Sequence, residues 1–451
     1  VIPANAPDIH PIDPIPAMIR RLLPLALLLM LAAAGPAFAQ RTLIHAGTLL
    51  DPGVSMSPMT ERTIVVEGDR VTAVEAGYTP PGSGDTVIDL KNYFVTPGWI
   101  DSHTHLTSQS RKDGYMDALR QSAPFQALQA ARYAETTLMT GFTTVRNVGG
   151  SDGVDFALRD AINAGLVRGP RMFVAEGLSV TGGHGDPTNG LREDLFGVPD
   201  VEHGVVDGVD TAMRGTRLGI KRGADLIKIT ATGGVLSVAR DGSAPSFLEE
   251  EIAAIVEVAR GYGLKVAAHA HGDEGMQRAV RAGVASIEHG TMMSEATMAL
   301  MKERGTYLVP TIVAGRSTAD SARIEGYYVP VVQAKALAIG PMIQATFAKA
   351  YRAGVPIAFG TDAGVFRHGR NAVEFEYMAE AGMPPMEIFR AATYNAADLL
   401  GQLDRLGTLE PGKYADLVAL RRNPLQDIRA VHDVAFIMKG GEVVKGMTND
   451  Q

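Results

Sequence analysis

Between Gly98 and Leu400 the chain repeats one unit: a short apolar run rich in β-branched residues, then a longer stretch with helical spacing. Eight such runs can be counted: GWIDSHTHL, FTTVRNV, RMFVAEG, DLIKITA, KVAAHAH, SIEHG, TYLVPTI and PIAFGTDA. Helical stretches such as Leu248 to Tyr262 and Glu274 to Ala282 stand between some of them. Parallel neighbours cannot be joined by a tight hairpin and need a crossover, usually a helix, so the alternation predicts βα units and a parallel sheet. Eight units in this length predict a (β/α)8 barrel. A doubly wound open sheet has the same alternation. The barrel is preferred because polar residues gather near the C-terminal ends of many of the runs, the rim where such barrels build their sites.

On either side the texture changes. After Gln40, RTLIHAGTLLD, RTIVVEGDRVTAVE and TVIDLKNYFVTPG set β-branched residues between Gly, Pro and Asp punctuation, and GTLEPGKYADLVALRRNP and VAFIMKGGEVVKG read the same way near the other end. The expected organisation is a small β-sandwich from residues 40–97 and 401–451, with the barrel, residues 98–400, inserted between its halves. Upstream, Arg20 and Arg21, the apolar run Leu22 to Leu31 and the box Ala37-Phe38-Ala39 read as a secretory signal starting at Met18, cleaved near Ala39-Gln40. Residues 1–17 read as sequence preceding that signal. An uncleaved anchor is the weaker alternative. The apolar run falls short of the about 20 residues a span needs, and no later stretch supplies them, so no stable membrane insertion is expected of the mature chain. The expected location is periplasmic or secreted.

The strand ends of the central region carry His103 and His105 on the first, Lys228 on the fourth, His269 and His271 on the fifth, His289 on the sixth and Asp362 on the eighth. Five of the eleven histidines therefore fall at three strand ends. A lone buried histidine is usually satisfied by backbone, but a set around one rim is better explained by metal. Residues two apart on a strand face the same side, so His103 and His105 can share one ion, and His269 and His271 are both eligible. With no cysteine in the chain, the ligands must be nitrogen and oxygen. Lys228 stands between Ile227 and Ile229 in a strand expected in the barrel wall, where an ammonium carries a desolvation penalty or titrates to neutral. Two resolutions are open. One is a neighbouring carboxylate, though Asp225, three residues away, faces the other side. The other is reaction of the neutral amine with CO2 to a carbamate, an anion able to bridge two cations.

GWIDSHTH, the strand of Lys228, AAHAHG, SIEHG and FGTDAG, in this order and spacing, resemble the amidohydrolase superfamily. More narrowly, FTTVRNVGG, TGGHGD, KITATGG and NAADLLG followed by GTLEPGKYADLVAL resemble its branch of imidazolonepropionase-like hydrolases and metal-dependent Xaa-Pro dipeptidases, which includes ochratoxin-hydrolysing amidases. The match runs from Arg41 to Gly446. It implies a (β/α)8 barrel with a flanking β-sandwich, a carbamylated lysine and two divalent ions, usually zinc. Carried onto this sequence, His103, His105 and Asp362 would hold the more buried ion, His269 and His289 the more exposed one, and carbamylated Lys228 would bridge them. His271 is then surplus, a supporting or substrate contact with a packing role as the alternative. Two ions sharing a water lower its pKa toward neutrality. Asp362 would take that water's proton and return it to the departing nitrogen.

His184 in TGGHGD sits in a Gly-rich loop after the third strand, where it could contact a substrate carbonyl or carboxylate over the ions, or tie the loop by a hydrogen bond. Arg146, at the end of the second strand, could fork onto a substrate carboxylate or bond carboxylates of the barrel, the second being preferred. A net charge of -8 offers no basic field for phosphates and sets nucleic acid aside as a partner. The expected partner is a small-molecule amide or dipeptide, and the resemblance implies a homo-oligomer. The expected activity is hydrolysis of the amide bond of dipeptides or N-acyl amino acids, ochratoxin A among them, to release the C-terminal amino acid. Xaa-Pro dipeptides are an alternative. Cyclic amides of the imidazolonepropionate type are another, set back because an exported chain is removed from histidine catabolism. A barrel that binds without turnover is disfavoured, since no ligand position is missing.

Overall fold

The computed structural model describes residues 41–112, 114–150, 152–239 and 241–446. The secretory signal and its cleavage point lie outside the described residues. From Arg41 onward the chain forms one compact unit. It opens with β1 (Arg41–Leu49), β2 (Met59–Glu67), β3 (Arg70–Ala76) and β4 (Thr86–Pro97). β1 runs antiparallel to β2 and parallel to β4.

Past Gly98 the rhythm becomes strict βα alternation. β5 (Trp99–Thr104) is followed by α1 (Ala123–Leu138), β6 (Phe142–Asn147) by α2 (Val154–Asn163), β7 (Arg171–Leu178) by α3 (Val209–Arg222) and β8 (Leu226–Thr230) by α4 (Glu249–Gly261). Then come β9 (Val266–Ala270) with α5 (Asp273–Ala282), β10 (Ser286–His289) with α6 (Glu295–Arg304), and β11 (Tyr307–Val309) with α7 (Ile312–Ala322), α8 (Pro330–Ile339) and α9 (Met342–Ala353). The seven strands form one parallel sheet in chain order. Residues 356–363 are the eighth staves of the barrel, bridging in parallel to β11 through Leu308 and Ile357 and to β5 through Thr104 and Ala363. The ring is completed by main-chain bonds from Ala358 N to Leu308 O (3.0 Å) and from Asp362 N to His103 O (2.7 Å). α10 (Val373–Glu380) follows the closure. Several helices end on a glycine in the left-handed region, Gly223, Gly283, Gly305 and Gly354, which lets the chain turn into the next strand without a Cβ clash.

Near the C-terminus, β12 (Leu417–Leu420), β13 (Val434–Lys439) and β14 (Glu442–Lys445) return to the opening strands. β12 lies antiparallel to β4, giving the order β14-β13-β12-β4-β1-β2-β3. The small β domain expected of the two ends is thus a seven-stranded mixed sheet, with Ile44, Leu90, Leu417 and Phe436 in its own core. At the N-terminal end of the barrel, Trp99 and Phe142, the first residues of β5 and β6, pack with Phe375. That apolar plug leaves the opposite end for polar chemistry. Among the described residues no helix is long and apolar enough to cross a membrane.

Candidate metal centre

At the C-terminal rim the backbone leaves regular strand geometry. His289, Thr311 and Asp362 all have left-handed φ, 69°, 53° and 62°. Such a conformation costs a non-glycine residue about 1–2 kcal/mol, and three together at one rim mark strain held by the surrounding structure for a site. At His289 its use is visible. In a regular strand Glu288 and His289 would face opposite sides, yet both reach His103. Glu288 Oε2 lies 2.7 Å from His103 Nδ1, and the His289 ring is centred 5.0 Å from that of His103. β5 is irregular too, with a register shift between Asp101 and Thr104. There the buried Asp101 carboxylate accepts from His103 N (3.1 Å), Thr361 N (3.0 Å), Thr361 Oγ1 (2.6 Å) and Asn371 Nδ2 (2.8 Å), stapling the first strand to the eighth.

The hydrogen bonds settle which ring nitrogens are bare. A carbonyl or carboxylate oxygen only accepts, so His103 Nδ1 donates to Glu288 and His105 Nδ1 donates to the Gly149 carbonyl (3.0 Å). Both Nε2 atoms then carry lone pairs. They stand 3.5 Å and 3.4 Å from one oxygen of Asp362, Oδ1, which is buried and has no hydrogen-bond partner among the described residues. Two bare imidazole nitrogens and a carboxylate oxygen converge, an arrangement that a cation fits. His103, His289 and Asp362 also offer ligand atoms within 4.8 Å of one another. Burial, reinforced by the neighbouring Lys228, holds His103 well below its usual pKa and brings His105 down to about 4. These imidazoles are neutral, the state a metal requires.

Lys228 is buried at the same rim, and among the described residues no hydrogen bond or ion pair reaches its Nζ. Burial lowers its pKa, opposed by Glu288 and Asp362, and burial raises that of Asp362, opposed by Lys228. Glu288 is already engaged by His103, by Arg146 Nη2 at 2.7 Å and by Ser286 Oγ at 2.5 Å. Asp225 is turned away, bonded to Arg159 (2.9 Å) and to Val174 N (2.9 Å).

The remaining histidines form a connected stack. His269 packs on His184 (4.4 Å between centroids), on His271 (4.7 Å) and on His289 (4.8 Å). His269 Nε2 donates to the Gly233 carbonyl (3.0 Å), which leaves Nδ1 as the lone-pair nitrogen. His289 Nδ1 and His271 Nδ1 are each 2.7 Å from a threonine hydroxyl, Thr311 and Thr291. His184 Nδ1 is buried without a partner among the described residues. Burial takes both His184 and His271 down to about 3. All six histidines, Lys228 and Asp362 line one cavity of about 1520 Å³, whose walls include Tyr133, Leu236, Tyr328 and Val332.

Arg146 is not part of that lining. Its Nη2 pairs with Glu288, its Nη1 donates to Ser286 Oγ (3.0 Å), its Nε donates to the Ser102 carbonyl (2.5 Å), and the side chain is buried. Because the side chain is buried and lies outside the cavity lining, the fork onto a substrate carboxylate is corrected to pairing with the internal carboxylate of Glu288, the kind of role preferred from sequence. Two residues that matter here were missed from sequence: Glu288, which fixes the His103 tautomer, and Asp101. The signal was present, since each is a carboxylate inside an apolar strand, the same anomaly that drew attention to Lys228.

Residues 94–451 match the model of the Amidohydrolase family. The chain is 33% identical to ochratoxinase of Aspergillus niger over 434 residues, covering 90% of this chain and 87% of that protein. The structure of a Xaa-Pro dipeptidase with methionine bound in its active site is similar at a TM-score of 0.88 and 45% identity, covering 90% of this chain and 100% of that one. A prolidase complexed with N-methylphosphonate-L-proline follows at 0.82 and 32%, with 90% and 100% coverage.

Proposed function

The chain belongs to the amidohydrolase family, and from that footing we propose that it hydrolyses the amide bond of dipeptides or N-acyl amino acids and releases the C-terminal amino acid. The observation that carries the reading is the meeting of two bare imidazole nitrogens and an unpartnered carboxylate oxygen beside a buried, unbonded lysine, at the floor of a large cavity. His103, His105 and Asp362 would hold one divalent ion and His269 and His289 a second, zinc in both places. Lys228 would bridge them as a carbamate, its neutral nitrogen bonding to the carbon of CO2 with release of one proton. When bound, such ions activate a water and polarise the scissile carbonyl.

The protein's own groups do the rest. Asp362 Oδ1 takes the proton of the attacking water and hands it to the departing nitrogen, a general base turned general acid. His184, with a bare buried Nδ1, and His271, on the cavity wall, are placed to contact the carbonyl or terminal carboxylate of the substrate. A Xaa-Pro substrate is the second reading, favoured by the 45% identity to a Xaa-Pro dipeptidase. Homo-oligomerisation and export remain parts of the proposal, open to light scattering and to N-terminal sequencing of the mature protein.

The test is a panel of dipeptides and N-acyl amino acids, ochratoxin A included, assayed for free amino acid with zinc-loaded protein and with Asp362→Asn. Release by the wild type, and less than about a tenth of it by the variant, is expected, because a positioned base contributes at least about 10²-fold. Loaded protein that releases nothing from any member would support the binding-only alternative.

A further inference from the structure

Two of the site histidines are held by a segment that is itself held from outside the site. After β8 the chain makes a closed excursion, with Thr232 bridged to Pro245 and Gly233 N donating to Ala244 O (3.0 Å). Its first residues bear directly on the imidazoles. Gly233 O accepts from His269 Nε2, and Gly234 approaches His184 so closely that a Cβ would fall 2.2 Å from Nδ1. Val235 packs with Ala336 and Ile339 of α8, and Val235 and Leu236 line the cavity. From α8, Lys335 reaches back into this excursion. Its Nζ donates to three main-chain carbonyls, Gly234 (2.7 Å), Ser237 (2.7 Å) and Ala239 (2.8 Å). An ammonium has three protons and no acceptor, so every donor is spent on one loop and none on a carboxylate. The carboxylate whose charge acts on Lys335, Asp241, is occupied by Ser243 N, Ser243 Oγ and Ala244 N.

We propose that Lys335 is a positioning residue that clasps the 233–239 segment onto His184 and His269. Through the Gly233 carbonyl it keeps the His269 proton on Nε2 and the lone pair on Nδ1, and through Gly234 it fixes the His184 ring. The inference rests on the reading of His269 as a metal ligand, but its physical core, an ammonium closing a three-carbonyl cradle, is independent of any turnover.

The experiment uses two variants of the full chain. Lys335→Ala empties the cradle, and Lys335→Met keeps the apolar stem without the donors. Both should show faster amide hydrogen exchange in peptides covering 232–239, and both should bind the second zinc about 10- to 100-fold more weakly in chelator competition, the usual cost of losing a support behind a ligand. Added n-propylammonium should restore slow exchange and zinc affinity in Lys335→Ala, where the cradle is open, and not in Lys335→Met, where it is filled. Unchanged exchange in Lys335→Met would overturn the clasp. Faster exchange with unaltered zinc affinity would overturn its link to His269. Because exchange and affinity are read without substrate, failure of the proposed hydrolysis would leave a different signature, the expected exchange and affinity changes in the Lys335 variants beside a wild type that releases no amino acid.

Discussion

Glu288 shows how much one side chain can decide. Fully buried, it accepts from His103, Arg146 and Ser286, so it fixes the tautomer of a metal-facing imidazole while its own charge is balanced by a guanidinium. Glu288→Gln would remove that balance and put an amide against His103 Nδ1. The expected result is about 10- to 100-fold weaker metal binding by chelator competition. An unchanged affinity would make the contact incidental. The pair in AAHAHG is separable in the same way. His269→Ala should lose one ion, whereas His271→Ala should keep both and alter only KM or kcat. Metal analysis of the two variants side by side decides the assignment, and loss of an ion from His271→Ala alone would reverse it. From sequence both histidines were eligible by alternation. What the chain did not display is the carbonyl of Gly233, a main-chain atom thirty-odd residues away whose bond to Nε2 orients His269. Arg146 was read as a donor that could bond a carboxylate of the barrel, but its partner Glu288 lies four strands away in the sheet order, on β10, and only the closed barrel brings the two together.

Among the elements, the strands were the most legible, because short β-branched runs between helices admit few arrangements, and α4 and α5 lie within a residue of the stretches read from their periodicity. Less legible was the manner of closure. Residues 356–363 bridge both neighbours without forming a regular strand, since the chain turns left-handed at Asp362 to aim a carboxylate inward. The start of α7 carries a related device. Glu374 of α10 is buried and accepts from Ile312 N (2.8 Å) and Val313 N (2.7 Å), holding the helix whose preceding residue, Thr311, bonds His289. Burial lifts the Glu374 carboxyl to about 8 from an ordinary 4.5, against the pull of those two N–H groups. A folded value above the unfolded one means that the folded chain binds more protons across that window. The associated stability is full below about 4.5 and is lost as pH rises through about 8. A neutral Glu374→Gln lacks this loss. Thermal melts of both proteins across the window should therefore show the variant gaining on the wild type as pH rises, and a constant difference would contradict the assignment.

The molecule as a whole joins a plugged barrel to a sheet built from the segments that precede and follow it in the chain. The β domain was visible in sequence as two matching textures far apart. The pairing of β12 with β4 that unites them was not, because strand partners at that separation leave no local signature. The same holds for the rim, where residues contributed by six different strands acquire their chemistry only in each other's company. If this rim holds two metal ions with Lys228 between them, the metal-to-protein ratio will report it. Metal-free protein reloaded with zinc in bicarbonate buffer and freed of excess should contain two ions per chain. A folded, fully loaded protein containing one ion or fewer would contradict the claim.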